Sequence, residues 1–175
     1  QKAKEMGFDI TVHADQFSTG GSEVAIKIGA VSADHLEAST QKEVEMLAKS
    51  DTVATALPGA TLGLGCAFTP ARALLDSGAC VSIASDWNPG SGPQGNLLSQ
   101  ASIIATFQKL SNAEVFAGIT TRAAYALREE KIGQLNKGFE ANFAIFDTDN
   151  YQEITYQQGR LTPSAVYVKG ESVLN

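Results

Sequence analysis

Positive charge is scarce in this chain and nowhere concentrated. Thirteen Lys and Arg stand against nineteen Asp and Glu, for a net charge of −6. No basic cluster forms the footprint that a polyanion-binding surface needs, so nucleic acid is not an expected partner. Long apolar runs are also missing: none approaches the roughly 20 residues that cross a bilayer, so no membrane partner is expected. Cysteine is nearly absent. Cys66 and Cys80 are neither at CxxC spacing nor numerous enough for a disulfide framework, and they read as reduced, inert thiols of a cytoplasmic protein. Gly63-Leu64-Gly65 and Gly90-Ser91-Gly92 lack the spacing of a dinucleotide or phosphate-binding loop, and they read as ordinary loops. No Ser sits in a nucleophile elbow. Histidine is rare: only His13 and His35 occur.

What is present is ordinary globular material, 43% hydrophobic and 18% charged over 175 residues, enough for one sizeable core. There is no internal repeat beyond a βα period and no low-complexity tract. The opening Gln1-Lys2-Ala3-Lys4-Glu5 reads as helix, without an initiator Met or a signal peptide, and a chain that opens this way is expected to be a piece of a longer protein.

Strand and helix alternate through the first half. Phe8 to Val12 predicts a strand ending in His13-Ala14-Asp15-Gln16, and Glu23 to Ile28 a helix entered through Gly20-Gly21-Ser22. Ala30 to Ala33 predicts a strand ending in Asp34-His35-Leu36-Glu37. Gln41 to Lys49 has helical spacing, with Thr40 and Glu43 as a capping box. Thr52 to Leu57 predicts a strand that stops at Pro58-Gly59. Pro70 to Asp76 reads as a helix ended by Gly78, and Ala79 to Ala84 as a fourth strand. Four strands alternating with helices imply a parallel sheet of βαβ units. Leu97 to Leu110 and Glu114 to Leu127 then predict two longer helices. After Gly133 the pattern turns to β, with a strand over Asn142 to Phe146 and a hairpin over Ala165 to Leu174 turning at Lys169-Gly170. The expected layout is a parallel βα segment over 1–128 and a small antiparallel unit over 129–175.

Chemistry-bearing residues fall at strand ends. His13 and His35 each follow a predicted strand, and Asp86 follows a third, in Ser85-Asp86-Trp87-Asn88-Pro89-Gly90-Ser91. Polar groups at the C-terminal ends of parallel strands converge on one rim of the sheet, where (β/α)-barrel enzymes hold their active sites. Imidazole and carboxylate suit zinc or ferrous iron, and a catalytic centre needs about three protein ligands plus an open position for water. His13, His35 and Asp86 are the minimum for that. Asp15 and Asp34, beside the histidines, fit either of two roles, orienting the imidazoles or capping helices.

Val12-His13-Ala14-Asp15-Gln16, Ser32-Ala33-Asp34-His35-Leu36-Glu37, Leu57-Pro58-Gly59 and the Asp86–Ser91 motif resemble, in order and spacing, the imidazolonepropionase family of the metal-dependent amidohydrolase superfamily. Ile132 to Phe143 is similar to the superfamily's return into a small β-sandwich, with Asn142 where an Asp is usual. The resemblance implies an α/β fold: the C-terminal half of a TIM-like (β/α)8 barrel, strands five to eight, plus part of a β-sandwich. It implies that His13 and Asp86 hold one divalent metal, zinc or iron, and that Asp86 takes the proton of the attacking water. His35 would stabilise the oxyanion, and Gln16, His35, Asn88, Gly90 and Ser91 would contact substrate. Gln16 stands where some relatives have Glu and cannot act as a base. The implied reaction is hydrolysis of 4-imidazolone-5-propanoate to N-formimidoyl-L-glutamate in histidine degradation.

The family's His-x-His pair of strand one and its early substrate-gripping residues are missing from this sequence. The chain alone is therefore expected to be inactive, and to need a missing N-terminal half or a second chain, as a homo-oligomer, to cover its open edges and apolar faces. Two alternatives stand beside this reading: another amidohydrolase such as a nucleobase or aminoazine deaminase, and a non-catalytic half barrel that self-associates.

Overall fold

The computed structural model describes residues 2–174; Gln1 of the expected opening helix and Asn175 of the expected last unit lie outside the described residues. In chain order the elements are α1 (Lys2–Glu5), β1 (Thr11–Ala14), α2 (Gly21–Lys27), β2 (Ser32–His35), α3 (Gln41–Ala48), β3 (Val53–Ala56), α4 (Pro58–Leu64), α5 (Ala71–Asp76) and β4 (Val81–Ile83). They continue with α6 (Leu97–Gln108), α7 (Asn112–Ile119), α8 (Thr121–Ala126), β5 (Phe143–Ile145), α9 (Gln152–Tyr156), β6 (Ala165–Val168) and β7 (Glu171–Leu174).

Strands β1 to β4 form one parallel sheet in sequence order, each crossover carrying helix, and β5 to β7 form an antiparallel sheet. The α/β class and the half barrel expected from the sequence are what the chain forms.

Side chains alternate across the parallel sheet, and the two faces differ in kind. Ala14, Ala33, Ala54, Ala56, Val81 and Ile83 face the helices, in one buried cluster with Ala25, Val44, Leu47, Leu74, Ile104 and Val115. The register puts Thr11, His13, Ser32, Asp34, Val53, Thr55 and Ser82 on the other face, where Ser82 Oγ donates to Thr55 Oγ1 at 2.9 Å. The sheet edges at β1 and β4 are open among the described residues. Apolar side chains are exposed elsewhere, among them Phe8, Phe17, Leu62, Leu64, Trp87 and Leu135, while the face opposite the helices is mostly polar. A barrel interior near a reaction site is where a polar lining belongs.

Several boundaries differ from the sequence reading. His13 lies inside β1 and His35 is the last residue of β2, rather than following them. Pro58–Leu64 is a helix with Pro at its first position, not a loop. The expected helix over 114–127 is two helices, broken at Thr120 (φ −128°, ψ −92°); the first starts at Asn112, with Ser111 and Glu114 as its capping box. The box at Thr40 and Glu43 is present as expected. The hairpin also turns where expected, with Lys169 at φ 52° and Gly170 at φ 82°, a pair of left-handed residues that favours Gly. Asn142 serves that turn: its side-chain oxygen accepts from Lys169 N at 2.7 Å.

Candidate active site

Three strands end in backbone that L-residues rarely adopt. Asp15 after β1 (φ 49°), His35 and Leu36 at the end of β2 (φ 88° and 71°) and Asp86 beyond β4 (φ 47°) all lie in the left-handed region. Such residues cost of order 1–3 kcal/mol each and persist where surrounding structure holds them. Here the holders are visible. Leu36 is fully buried and its N–H donates to Ala14 O at 3.0 Å; Ala38 N donates to Asp15 O at 2.7 Å; Thr69 Oγ1 donates to His35 O at 2.5 Å. The bends redirect the chain at the sheet's C-terminal rim.

Those bends bring the two histidines together. The rings of His13 and His35 lie 4.2 Å apart between centroids, inclined at 46°. His13 is exposed on the sheet's polar face, whereas His35 is buried. Asp34 pairs in register with His13 and accepts from Ser32 Oγ at 2.7 Å. Asp15 accepts from Gly21 N at 2.8 Å, Ser22 N at 3.2 Å, Ser39 Oγ at 2.9 Å and the Ser22 hydroxyl. Of the two roles open to Asp15, its contacts are those of a group tying the start of α2 to the rim.

Asp86 is half-buried, two strands from β2, and no hydrogen bond reaches its carboxylate among the described residues. The loop after it is built around Asn88. Asn88 Oδ1 accepts from Gly90 N and Ser91 N, both at 2.9 Å; its Nδ2 donates to Asp86 O at 2.6 Å. Asn88 N donates to Gly92 O at 3.1 Å. The donors expected to meet substrate at Asn88 and Gly90 thus hold the loop's own shape. Ser91 Oγ sits 3.4 Å from Asn88 Nδ2. Helix α4 supports this loop through two glycines one turn apart: a Cβ on Gly59 would stand 2.7 Å from Ser85 O, and one on Gly63 would collide with Ser91 O. Gln16, half-buried, lies in the turn after β1.

Among the described residues no three His, Cys, Asp or Glu side chains gather closely enough to hold a metal ion. The donors match a divalent metal in kind, since imidazole and carboxylate are what zinc or ferrous iron takes, but His13 and Asp86 alone fall short of the number needed. The cysteines offer no substitute. Both are free, and burial pushes the Cys80 thiol up, away from the reactive thiolate. No helix of the described residues is long and apolar enough to cross a membrane.

One group escaped the sequence reading. Glu37, two residues after His35, is buried, with Oε1 accepting from Thr61 Oγ1 at 2.8 Å and lying 3.7 Å from His35 Nδ1. The His-x-Glu spacing was the available signal; Thr61, on a helix the sequence did not disclose, was not readable.

A parallel half barrel with imidazoles on adjacent strand ends and a carboxylate two strands on is the architecture of amidohydrolases, and the chain belongs to the amidohydrolase family, whose pattern matches residues 1–174. Among curated proteins it is 41% identical over 172 residues to an imidazolonepropionase of Bacillus thuringiensis, covering 97% of this chain and 41% of that protein. It is also 41% identical over 169 residues to the imidazolonepropionase of Deinococcus radiodurans, covering 96% of this chain and 42% of that one. The chain thus spans about two fifths of the length of these relatives. The fold is that of a zinc-bound adenosine deaminase from Xanthomonas campestris (TM-score 0.81, 19% identity, 99% of this chain and 47% of that one). It is likewise that of a zinc-complexed atrazine chlorohydrolase from Arthrobacter aurescens (TM-score 0.80, 18% identity, 100% and 46%).

Proposed function

We propose that this chain carries the C-terminal catalytic portion of an imidazolonepropionase, which opens the ring of 4-imidazolone-5-propanoate to give N-formimidoyl-L-glutamate. The observation that carries this reading is the 41% identity to imidazolonepropionases across 97% of the chain. His13 and Asp86 would hold one divalent metal, zinc or iron, which when bound supplies Lewis-acid activation of water. Asp86 accepts the proton of the attacking water on a carboxylate that no protein donor occupies. His35 faces the carbonyl oxygen and stabilises the charge that develops there, a contribution often worth about 3–4 kcal/mol for a single well-placed donor. Gln16 contacts the substrate, as does Ser91 on a loop whose shape Asn88 and Gly90 hold; Gln16 carries no acid or base function, so proton transfer stays with Asp86.

The half barrel over residues 1–128 and the sandwich portion over 129–175 are the two units of this proposal, joined by a stretch without helix or strand between Ala126 and Phe143. They touch where α9 meets α6 and α7, with Thr155 Oγ1 donating to Asn112 Oδ1 at 2.9 Å and Asn96 Nδ2 to Gly159 O at 3.0 Å. The open edges at β1 and β4 take further strands, from the preceding residues of a longer chain or from a second chain. The test is turnover by this chain joined to the N-terminal portion of a relative, with purine and triazine amines as competing substrates, alongside elemental analysis for metal. Turnover of the imidazolone with near-stoichiometric zinc or iron is expected. Turnover of the amines alone would replace the proposal with a deaminase.

A further inference from the structure

Two neighbouring polar atoms are buried without a hydrogen-bond partner, His35 Nδ1 and Glu37 Oε2. Buried polar atoms are nearly always paired, so two orphans on adjacent side chains require an account. The side chains are 7% and 2% exposed, and their closest approach, 3.7 Å from Nδ1 to Oε1, is too long for a hydrogen bond. Water has little access to either atom. Everything else around the pair is held. The His35 carbonyl is bound by Thr69, its backbone and that of Leu36 are left-handed and anchored by the buried Leu36, and one Glu37 oxygen is bound by Thr61 from α4. The remaining freedom is the turn of the imidazole and of the carboxylate about their own side-chain bonds.

We infer that Glu37 is the positioning residue for His35: it takes the Nδ1 proton as a hydrogen bond, fixing the ring so that Nε2 is the nitrogen turned toward His13 and the site. Thr61 positions Glu37 in turn, tying β2 to α4, the helix that also carries the Asp86 loop on Gly59 and Gly63. No covalent step is involved: the Nδ1 proton is shared with a carboxylate oxygen, and the oxyanion role needs a second proton on Nε2, on a ring whose positive charge the Glu37 carboxylate balances. This deepens the role proposed for His35 and rests on that role only for its catalytic meaning. The ring orientation can be read in the chain alone, so its failure is distinguishable from failure of the activity.

The experiment is nitrogen-15 NMR of the imidazole rings in this chain, where two-bond couplings report which ring nitrogen carries the proton. His35 is expected to show a protonated Nδ1, and Glu37→Gln to lose it, with the His13 pattern unmoved. If Glu37→Gln does not fold, Thr61→Val supplies the second arm, since it removes only the hydroxyl that orients the carboxylate; partial loss of the Nδ1–H form is expected. Glu37→Asp should restore part of the signature. An unchanged His35 pattern in a folded Glu37→Gln or Thr61→Val chain, or an unprotonated Nδ1 in the unsubstituted chain, overturns the inference.

Discussion

The parallel sheet and the antiparallel sheet of this chain are made of similar residues but live in different surroundings. Strands β1 to β4 bury most of one face: Ala33, Ala54 and Ala56 are inaccessible beneath helices whose Leu47, Leu74 and Ile104 are equally covered. Strands β5 to β7 have no comparable layer, and Ile145, Val168, Val173 and Leu174 are exposed. In the small sheet Phe143 stacks on Tyr167, centroids 4.7 Å apart. Alternation and β-branched residues therefore suffice to make strands in both places, but only a covering layer turns them into a core. Left-handed backbone occurs in both regions: at Asp15, His35, Leu36 and Asp86 packing and hydrogen bonds hold it, whereas at Lys169 it serves a hairpin turn braced by Asn142.

The largest test of this contrast removes the same kind of side chain from each region. Leu74→Ala is expected to cost about 2–5 kcal/mol in denaturant unfolding, because the cavity cannot collapse under the sheet. Val173→Ala is expected to change stability by no more than about 0.5 kcal/mol. Similar losses from the two would mean that the small sheet holds a core of its own.

An intermediate effect is expected from Gly63→Ala. The added methyl meets Ser91 O and pushes the loop after β4 off α4, at a cost of about 1–3 kcal/mol. Amide shifts in residues 86–92 should move while those of β6 and β7 stay put. An unmoved loop would show that α4 does not position it.

The smallest effect concerns pH. The bidentate Arg72 guanidinium, at 3.0 and 2.8 Å, holds the Glu114 carboxyl down to about 2 from its ordinary 4.5, with help from Ser111. A carboxyl depressed in the folded state binds its proton less readily there than when unfolded. Its contribution is thus fully present above about pH 4.5 and lost as pH falls toward about 2. Glu114→Gln should weaken folding by about 1 kcal/mol at neutral pH, a modest sum for a partly exposed pair, and flatten the acid limb of the stability curve. An unchanged acid limb would remove the pair from the account.

The sequence carried the βα alternation, the four parallel strands and the hairpin at Lys169-Gly170, because each depends on local period and turn chemistry. It placed His13 and His35 at the rim, though one and two residues beyond the ends it assigned to their strands, since strand ends are set by pairing with neighbours. It did not show α4, whose Pro58-Gly59 start looks like a turn until the helix packs beneath the Asp86 loop. Nor did it show the break at Thr120. Glu37 was in plain view in Asp34-His35-Leu36-Glu37, but its link to Thr61 is a contact across 24 positions, which no local pattern encodes. Family motifs supplied the roles of Asp86 and Gln16, and spacing alone left them open.

The most direct measurement is turnover of 4-imidazolone-5-propanoate by this chain joined behind the N-terminal portion of the Deinococcus radiodurans relative, with and without Asp86→Asn. The account predicts formation of N-formimidoyl-L-glutamate and its loss by at least about a hundredfold in Asp86→Asn, the scale of a missing general base. Turnover that survives Asp86→Asn at full rate would contradict the assignment of the site to these strand ends.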